Sequence, residues 1–136
     1  MTRLPTLFAI APIALMLTAA QPVPTLADVQ PGLWEVSGGD HSNVLARQCV
    51  ASVTVLARFE HRTRPCSAKI LKSSGSEASV EYSCGAAGFG HSDIDVLTPR
   101  SLRISTQGIS GGLPFNYVLQ ARRIGDCPKN LATKRH

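Results

Sequence analysis

Cysteine, histidine, aspartate and serine side chains are the groups of this chain whose types and spacing could do chemistry. Four cysteines are present, an even number, which is typical of two disulfide bonds in an exported protein. A zinc site usually shows two cysteines separated by only two to four residues. The cysteines here are all far from one another along the chain: Cys49, Cys66, Cys84 and Cys127. We therefore expect disulfides, and we expect no metal and no cofactor.

Two other patterns of reactive residues have structural interpretations. His91, Asp93 and Asp95 alternate, so they would share one face of a strand at spacings of about 6.6 Å. Two of them could share a cation, whereas three could not do so without a bulge, and a solvated face balanced by Arg103 is the simpler interpretation.

The stretch 108–112 matches the G-x-S-x-G pattern, which in hydrolases lies between a parallel strand and a helix and precedes acid and His partners. Only His136 follows it, so we interpret this stretch as a glycine loop. No carboxylate pair, free thiol or phosphate-binding loop stands out elsewhere, and we expect no enzymatic activity.

The stretch between Cys66 and Cys84 predicts a β-hairpin that turns at Gly75, within a cluster of serines. This register places apolar residues opposite each other on one face and charged or polar residues on the other: Ile70 with Val80, Ala68 with Tyr82, Lys69 with Glu81, and Ser67 with Ser83. Cross-strand neighbours lie about 4.5–5.5 Å apart at Cβ, close to what a disulfide spans. The hairpin therefore predicts a Cys66–Cys84 disulfide, and Cys49–Cys127 follows from the remaining pair.

Alternating apolar and polar residues predict five further strands, at 33–36, 44–50, 91–98, 101–106 and 113–124. In these strands the inward residues include Trp34, Val36, Ile94, Val96, Leu102 and Ile104, and Phe115, Tyr117, Leu119 and Ala121 share one side of the last strand. The glycine-containing stretches 38–43, 85–90 and 108–112 are predicted loops.

The stretch 52–61 fits either a strand or a helix capped by Ser52. We favour a short helix between Cys49 and Cys66, with His61 at the solvated surface. The fold class is therefore mainly β: an antiparallel meander of about six or seven strands, forming a curved sheet or half-barrel with this helix as a lid.

The first 27 residues predict a cleaved secretory signal peptide. Arg3 precedes the apolar stretch 7–17, and small residues lead up to Ala27; the apolar stretch is too short for a membrane span, which needs about 20 residues. A β domain at 28–127 and a basic flexible tail at 128–136 complete the chain. The net charge is +5, but its excess lies in Arg3 and in the tail, so the domain is nearly neutral and nucleic-acid binding is not expected.

The segment 121–127, Ala-Arg-Arg-Ile-Gly-Asp-Cys, resembles the closing segment of a family of small exported bacterial proteins, the domain of unknown function 3617 family. Further similarities are the Pro-Gly-Leu-Trp-Glu opening at 31–35, the cysteines at 49 and 84, and the Thr-Pro-x-Ser turn at 98–101. The resemblance implies export, disulfides and a β-rich domain, and it supplies no activity and no catalytic residues.

Together these features predict a soluble, monomeric periplasmic protein with no membrane span, whose partners are unknown and whose role is binding or accessory. A small apolar ligand could lie on the concave sheet face, in a candidate pocket formed by four aromatic residues: Trp34, Tyr82, Phe115 and Tyr117. The alternative is an envelope interaction or stress protein that acts through a sheet edge or the basic tail.

Overall fold

The computed structural model describes residues 20–39 and 43–129. These residues form seven strands, one short α-helix and three single turns of 3-10 helix. The strands are Gly32–Gly38 (β1), Val44–Val50 (β2), Ser67–Ser74 (β3), Glu77–Ser83 (β4), Gly88–Thr98 (β5), Ser101–Ser110 (β6) and Leu113–Gly125 (β7), and the α-helix is Thr54–Ala57 (α1). The 3-10 turns are Leu26–Asp28, Phe59–His61 and Gly85–Ala87.

All seven strands belong to one antiparallel sheet in the order β2-β1-β7-β6-β5-β4-β3. Strands β3 to β7 form the predicted meander, and the β1–β2 hairpin joins it along β7. The sheet is open, with β2 and β3 as its two edges. The mainly-β prediction is therefore confirmed, and the sheet does not close into a barrel.

The hairpin register predicted from the cysteines is confirmed as far as Ile70, which pairs with Val80. A bulge at Leu71 then shifts the pairing by one residue, and the chain turns at Gly75, which has a φ of 56°. Ala68 and Ile70 share a face with Tyr82 and Val80, as predicted, but they are not buried: every residue of β3 is exposed, and Ile70 retains 46% of its accessible surface. β3 is an edge strand that lies beyond the covered part of the sheet.

The core lies on one face of the sheet, which we call the inner face. Its buried strand residues include Trp34, Val36, Val80, Ile94, Val96, Leu102, Ile104, Leu119 and Ala121, as the alternation predicted. The segment 53–61 covers this face and contributes Leu56, Ala57 and Phe59 to the core. Ser92, on β5, donates a hydrogen bond from Oγ to the Ala57 carbonyl oxygen at 2.5 Å, so the cover is also held by a buried polar contact.

The helical prediction for 52–61 is confirmed, but two of its details were wrong. Ser52 does not cap the helix: Val53 occupies that position, and Ser52 Oγ lies 3.1 Å from Thr54 Oγ1. His61 is not at the solvated surface, since only 2% of it is accessible.

The glycine-rich stretches are also more regular than predicted. Gly85–Ala87 is a 3-10 turn, and β5 already begins at Gly88. β6 continues through Gly108 to Ser110, so the turn to β7 contains only Gly111 and Gly112, both at positive φ. The high glycine content of these stretches therefore led us to predict loops where two long strands, β5 and β6, begin or end.

Parts of three predicted segments lie outside the described residues: 1–19 of the leader, 40–42 of the first loop and 130–136 of the tail. Within the described ranges, Leu26 packs against the core. No helix among those residues is both long and apolar enough to cross a bilayer.

Both predicted disulfides are present. Cys66–Cys84 links the start of β3 to the end of β4 with a Cα–Cα distance of 4.2 Å, and Cys49–Cys127 links β2 to the residues after β7 at 5.5 Å. Two disulfides indicate an oxidising compartment.

We predict that the disulfide closing the longer loop contributes more to stability. Replacing Cys66 and Cys84 by alanine should lower the free energy of unfolding by roughly 3 kcal/mol, and replacing Cys49 and Cys127 by roughly 4.5 kcal/mol. The difference follows from the sequence separations, 18 and 78 residues. Urea unfolding of the two double variants beside the unmodified protein measures both losses. An equal loss, or the reverse order, would contradict the loop-entropy explanation.

Candidate functional site

The four aromatic residues of the predicted pocket occupy different environments. Trp34 is fully buried in the core, and its Nε1 donates to the Gln30 carbonyl oxygen at 3.0 Å. Tyr82 is almost fully buried, whereas Phe115 and Tyr117 are partly exposed. The structure brings these last three together around His61 and leaves Trp34 in the core.

In the aromatic cluster, His61 packs edge to face against Tyr82 and Phe115, and Phe115 and Tyr117 are tilted towards each other. The His61 ring centroid lies 5.6 Å from that of Tyr82 and 6.0 Å from that of Phe115, and Phe115 lies 5.7 Å from Tyr117. Such arrangements stabilise aromatic pairs beyond simple burial. His61 Nε2 donates to the Ala87 carbonyl oxygen at 3.1 Å, so the cluster ties the cover to the start of β5.

Two tyrosine hydroxyls of the cluster are held protonated. Burial raises the pKa of Tyr117, and its hydrogen bond to the Glu60 carboxylate, at 2.8 Å, raises the pKa further. Burial also raises the pKa of Tyr82. The Tyr117 hydroxyl therefore acts as a hydrogen-bond donor, whereas the buried Tyr82 hydroxyl has no hydrogen-bond partner among the described residues.

Directly behind the cluster, one cross-strand row of the sheet contains two glycines. This row, which we call the glycine row, runs across five strands through Ala68, Tyr82, Gly90, Gly108 and Phe115. A Cβ on Gly90 would collide with the Tyr82 hydroxyl, and a Cβ on Gly108 with the Phe89 carbonyl oxygen. The Tyr82 ring thus takes the space that a side chain at Gly90 would fill, as aromatic neighbours of strand glycines do elsewhere, whereas at Gly108 the backbone of β5 takes it.

The opposite face of the same region, which we call the outer face, carries a groove. Two rows flank the glycine row and point to the outer face. The Gln107 row is Lys69, Glu81, His91, Gln107 and Asn116; the Phe89 row is Ser67, Ser83, Phe89, Ile109 and Pro114. These three rows line an open groove of about 990 Å³.

The geometry of the groove follows from the pleat. Residues of the glycine row point inward, so their backbone forms the floor, while the two flanking rows form walls roughly 6.6 Å apart. One wall is polar throughout, and the other is apolar over β5 to β7. Phe89 is 57% exposed within it.

The polar wall has side chains without partners among the described residues. Lys69 and Glu81 are opposite each other, as predicted, yet they form no ion pair with each other or with another described residue. Gln107 and Asn116 likewise have no side-chain hydrogen bond within those ranges. Four polar groups of this wall are therefore open to a ligand.

Of the candidate cation residues, His91 belongs to the polar wall and Asp93 and Asp95 lie beside the groove, and each has a partner of its own. His91 Nε2 lies 3.1 Å from Asp93 Oδ1, and Ser79 Oγ donates to the same oxygen at 2.6 Å. Asp95 Oδ2 lies 3.8 Å from Arg103 Nη1, so Arg103 balances the charge of this face as predicted. Among residues 20–39 and 43–129, no group of three or more His, Cys, Asp or Glu side chains is placed to hold a metal ion.

Sequence reasoning missed His61 and the outer groove. The burial of His61 could not be predicted, because a histidine among arginines is typical of a solvated surface. The groove could have been found from the cross-strand register, since Gly90 and Gly108 fall opposite each other once β5 and β6 are extended through them. Interpreting both glycines as loop residues hid that pairing.

We predict that Gly108→Ala destabilises the protein by about 1–3 kcal/mol, because the new methyl group would press on the backbone of Phe89, which cannot rotate away. Urea unfolding measures the change. Gly125→Ala is the matched control, since the position of its Cβ has no atom within 4 Å. Equal stability of the two variants would show that β5 and β6 are not packed this closely.

We also predict that Ser79→Ala raises the pKa of Asp93. The hydrogen bond from Ser79 is the main reason that the pKa of Asp93 lies below its usual value, with a smaller contribution from His91. A lowered folded-state pKa stabilises the fold above the unfolded-state value, and this stabilisation is lost as the pH falls through the folded-state pKa.

An NMR titration of the Asp93 carboxyl carbon measures the effect of Ser79→Ala. Ser105→Ala is the matched control, because Ser105 is the other cross-strand neighbour of Asp93 and forms no hydrogen bond with it. An unchanged pKa in Ser79→Ala would refute the assignment.

Comparison with known proteins gives one match. Residues 29–127 match the family described as protein of unknown function (DUF3617). No curated protein and no solved structure matches the chain. The matched range spans β1 to β7 and all four cysteines, and the chain therefore belongs to the DUF3617 family, whose function is unknown.

Proposed function

We propose that the protein is a non-enzymatic binding domain of the bacterial periplasm, and that its ligand site is the groove on the outer face of β3 to β7. The groove supports this proposal better than the inner face, which the sequence favoured, because Leu56, Ala57 and Phe59 already pack there. A ligand on the inner face would have to displace them. Export through a cleaved signal peptide agrees with the oxidising compartment that the disulfides indicate.

The observation that best supports the proposal is that an exposed aromatic residue, Phe89, lies in the groove. Phe89, Ile109 and Pro114 line up across three neighbouring strands on one wall, with open polar groups facing them. Ligand sites typically combine apolar lining with a few polar groups that orient the ligand. The groove is continuous across five paired strands, so it would present this surface without rearrangement.

Binding accounts for the polar residues better than catalysis does. Asp93 accepts hydrogen bonds from its neighbours, Asp95 lies beside Arg103, and Glu60 accepts from Tyr117. Ser110, from the G-x-S-x-G pattern, ends β6 next to the turn. The three carboxylates therefore have structural partners in the sheet or in its cover.

The alternative, attachment through a sheet edge, is less well supported. β3 carries Lys69 and Lys72 and is interrupted by a bulge at Leu71, and lysines and bulges are devices that discourage edge pairing. The β1–β2 pairing also contains a bulge, between Val36 and Ser37. The basic tail of the alternative lies almost entirely outside the described residues.

The proposal predicts saturable binding of an amphipathic probe in the groove. Titration with 1-anilinonaphthalene-8-sulfonate should give one fluorescence transition, and Phe89→Ser should weaken it by about tenfold, because an aromatic anchor is removed. Leu45→Ser is the matched control, since Leu45 is similarly exposed, at 51%, but lies on β2. An equal effect of both substitutions, or none, would contradict binding in the groove.

A further inference from the structure

We propose that the groove binds an extended peptide segment of about six residues, which lies across strands β3 to β7. This inference rests on the proposed function and names the ligand class of the same site. Five strands at about 4.8 Å spacing make the groove about 19 Å long, and an extended chain advances about 3.3 Å per residue. A six-residue segment therefore matches its length.

The polar wall favours a peptide over an acyl chain. Gln107 and Asn116 each offer an amide donor and an amide acceptor, while Lys69 donates and Glu81 accepts. A peptide backbone presents one donor and one acceptor at each residue, so it can use such a mixed wall along its whole length. A hydrocarbon chain has no group that could bond to any of these side chains.

The shape of the groove points to the same ligand class. It is an open trough on the surface of a sheet, and Phe89 on its apolar wall has 57% of its surface exposed. Sites for small apolar ligands usually bury most of the ligand, which an open trough cannot do. An extended peptide tolerates one solvated side, since alternate side chains point away from the wall that they follow.

The charged side chains of the groove define the sequence of the bound peptide further. Lys69 and Glu81 are adjacent in the Gln107 row and are unpaired within the described ranges. The β3–β4 end of the groove therefore fits a segment that carries an acidic and a basic or hydroxyl side chain close together. At the other end, Phe89, Ile109 and Pro114 suit apolar side chains at alternate positions. The partner is thus an extended, amphipathic stretch of polypeptide with a polar end and an apolar end.

The test uses the full, disulfide-bonded protein labelled with 15N and a pool of end-capped hexapeptides that carry an acidic and a basic side chain at one end and apolar side chains at alternate positions of the other end. We expect shift changes confined to the three rows that line the groove, the glycine row and the Gln107 and Phe89 rows. The combined substitution Gln107→Leu and Asn116→Leu should weaken peptide binding by about tenfold, since two hydrogen-bonding groups are lost. Gln120→Leu, also on β7 but outside the groove, is the matched control and should leave binding unchanged.

A second measurement leaves the protein unaltered. The same peptides with methylated backbone nitrogens should lose most of their affinity if the polar wall bonds to the peptide backbone. Equal binding of methylated and unmethylated peptides would overturn the inference.

Dodecanoate separates the failure of this inference from the failure of the proposed function. If dodecanoate shifts the groove residues and the peptide pool does not, the site binds acyl chains: the inference falls and the proposed function stands. If the peptides, dodecanoate and 1-anilinonaphthalene-8-sulfonate all leave the groove residues unchanged, both the inference and the proposed function are refuted.

Discussion

The packing of the segment 53–61 against one face of the sheet is the interaction on which the rest of the structure depends. Leu56 and Ala57 are fully buried in the core, and Phe59 is nearly so, so a single-layer sheet gains the second layer that it needs to bury an apolar face. The segment connects the two edge strands, β2 and β3, and the cysteines on either side of it, Cys49 and Cys66, form disulfides with the end of β7 and the end of β4. With the inner face filled, the outer face is left to meet other molecules.

Polar contacts determine where that cover lies. A buried polar group without a partner is costly, so Ser92 and Ala57, His61 and Ala87, and Tyr117 and Glu60 act as specific points of attachment. Apolar packing alone would tolerate a small displacement of the helix along the sheet, whereas these three bonds would not. They also place His61 against Tyr82 and Phe115, and those rings in turn cover the two strand glycines. The groove floor on the other face is therefore supported from beneath by the cover.

The parts of the fold that sequence could predict are those decided by local alternation. Six strand residues point inward as predicted, because side chains that alternate with a two-residue period can place their apolar members on only one face of the sheet. They are Trp34, Val36, Ile94, Val96, Leu102 and Ile104. The facing cysteines gave the hairpin register, since a disulfide tolerates little displacement. Burial at the sheet edge could not be predicted: Ile70 has the same alternation as Val80 opposite it, but β3 lies beyond the reach of the cover and leaves it exposed. That difference in burial depends on the order of the strands in the sheet, which the alternation of apolar and polar residues does not reveal.

Glycine explains why the candidate site was less predictable than the core. In a strand, glycine weakens the local signal, so Gly88, Gly90 and Gly108 read as loop although their strands run through them. Their lack of side chains is nevertheless what lets the backbones of β5 and β6 approach so closely at Gly108 and leaves room for Tyr82 over Gly90. A larger residue at Gly90 would push the Tyr82 ring away from the sheet, and one at Gly108 would press on the backbone of Phe89 and Gly90 in the floor and wall of the groove. The same two positions thus join the aromatic cluster of the inner face to the groove of the outer face, and a change on one face must alter the other.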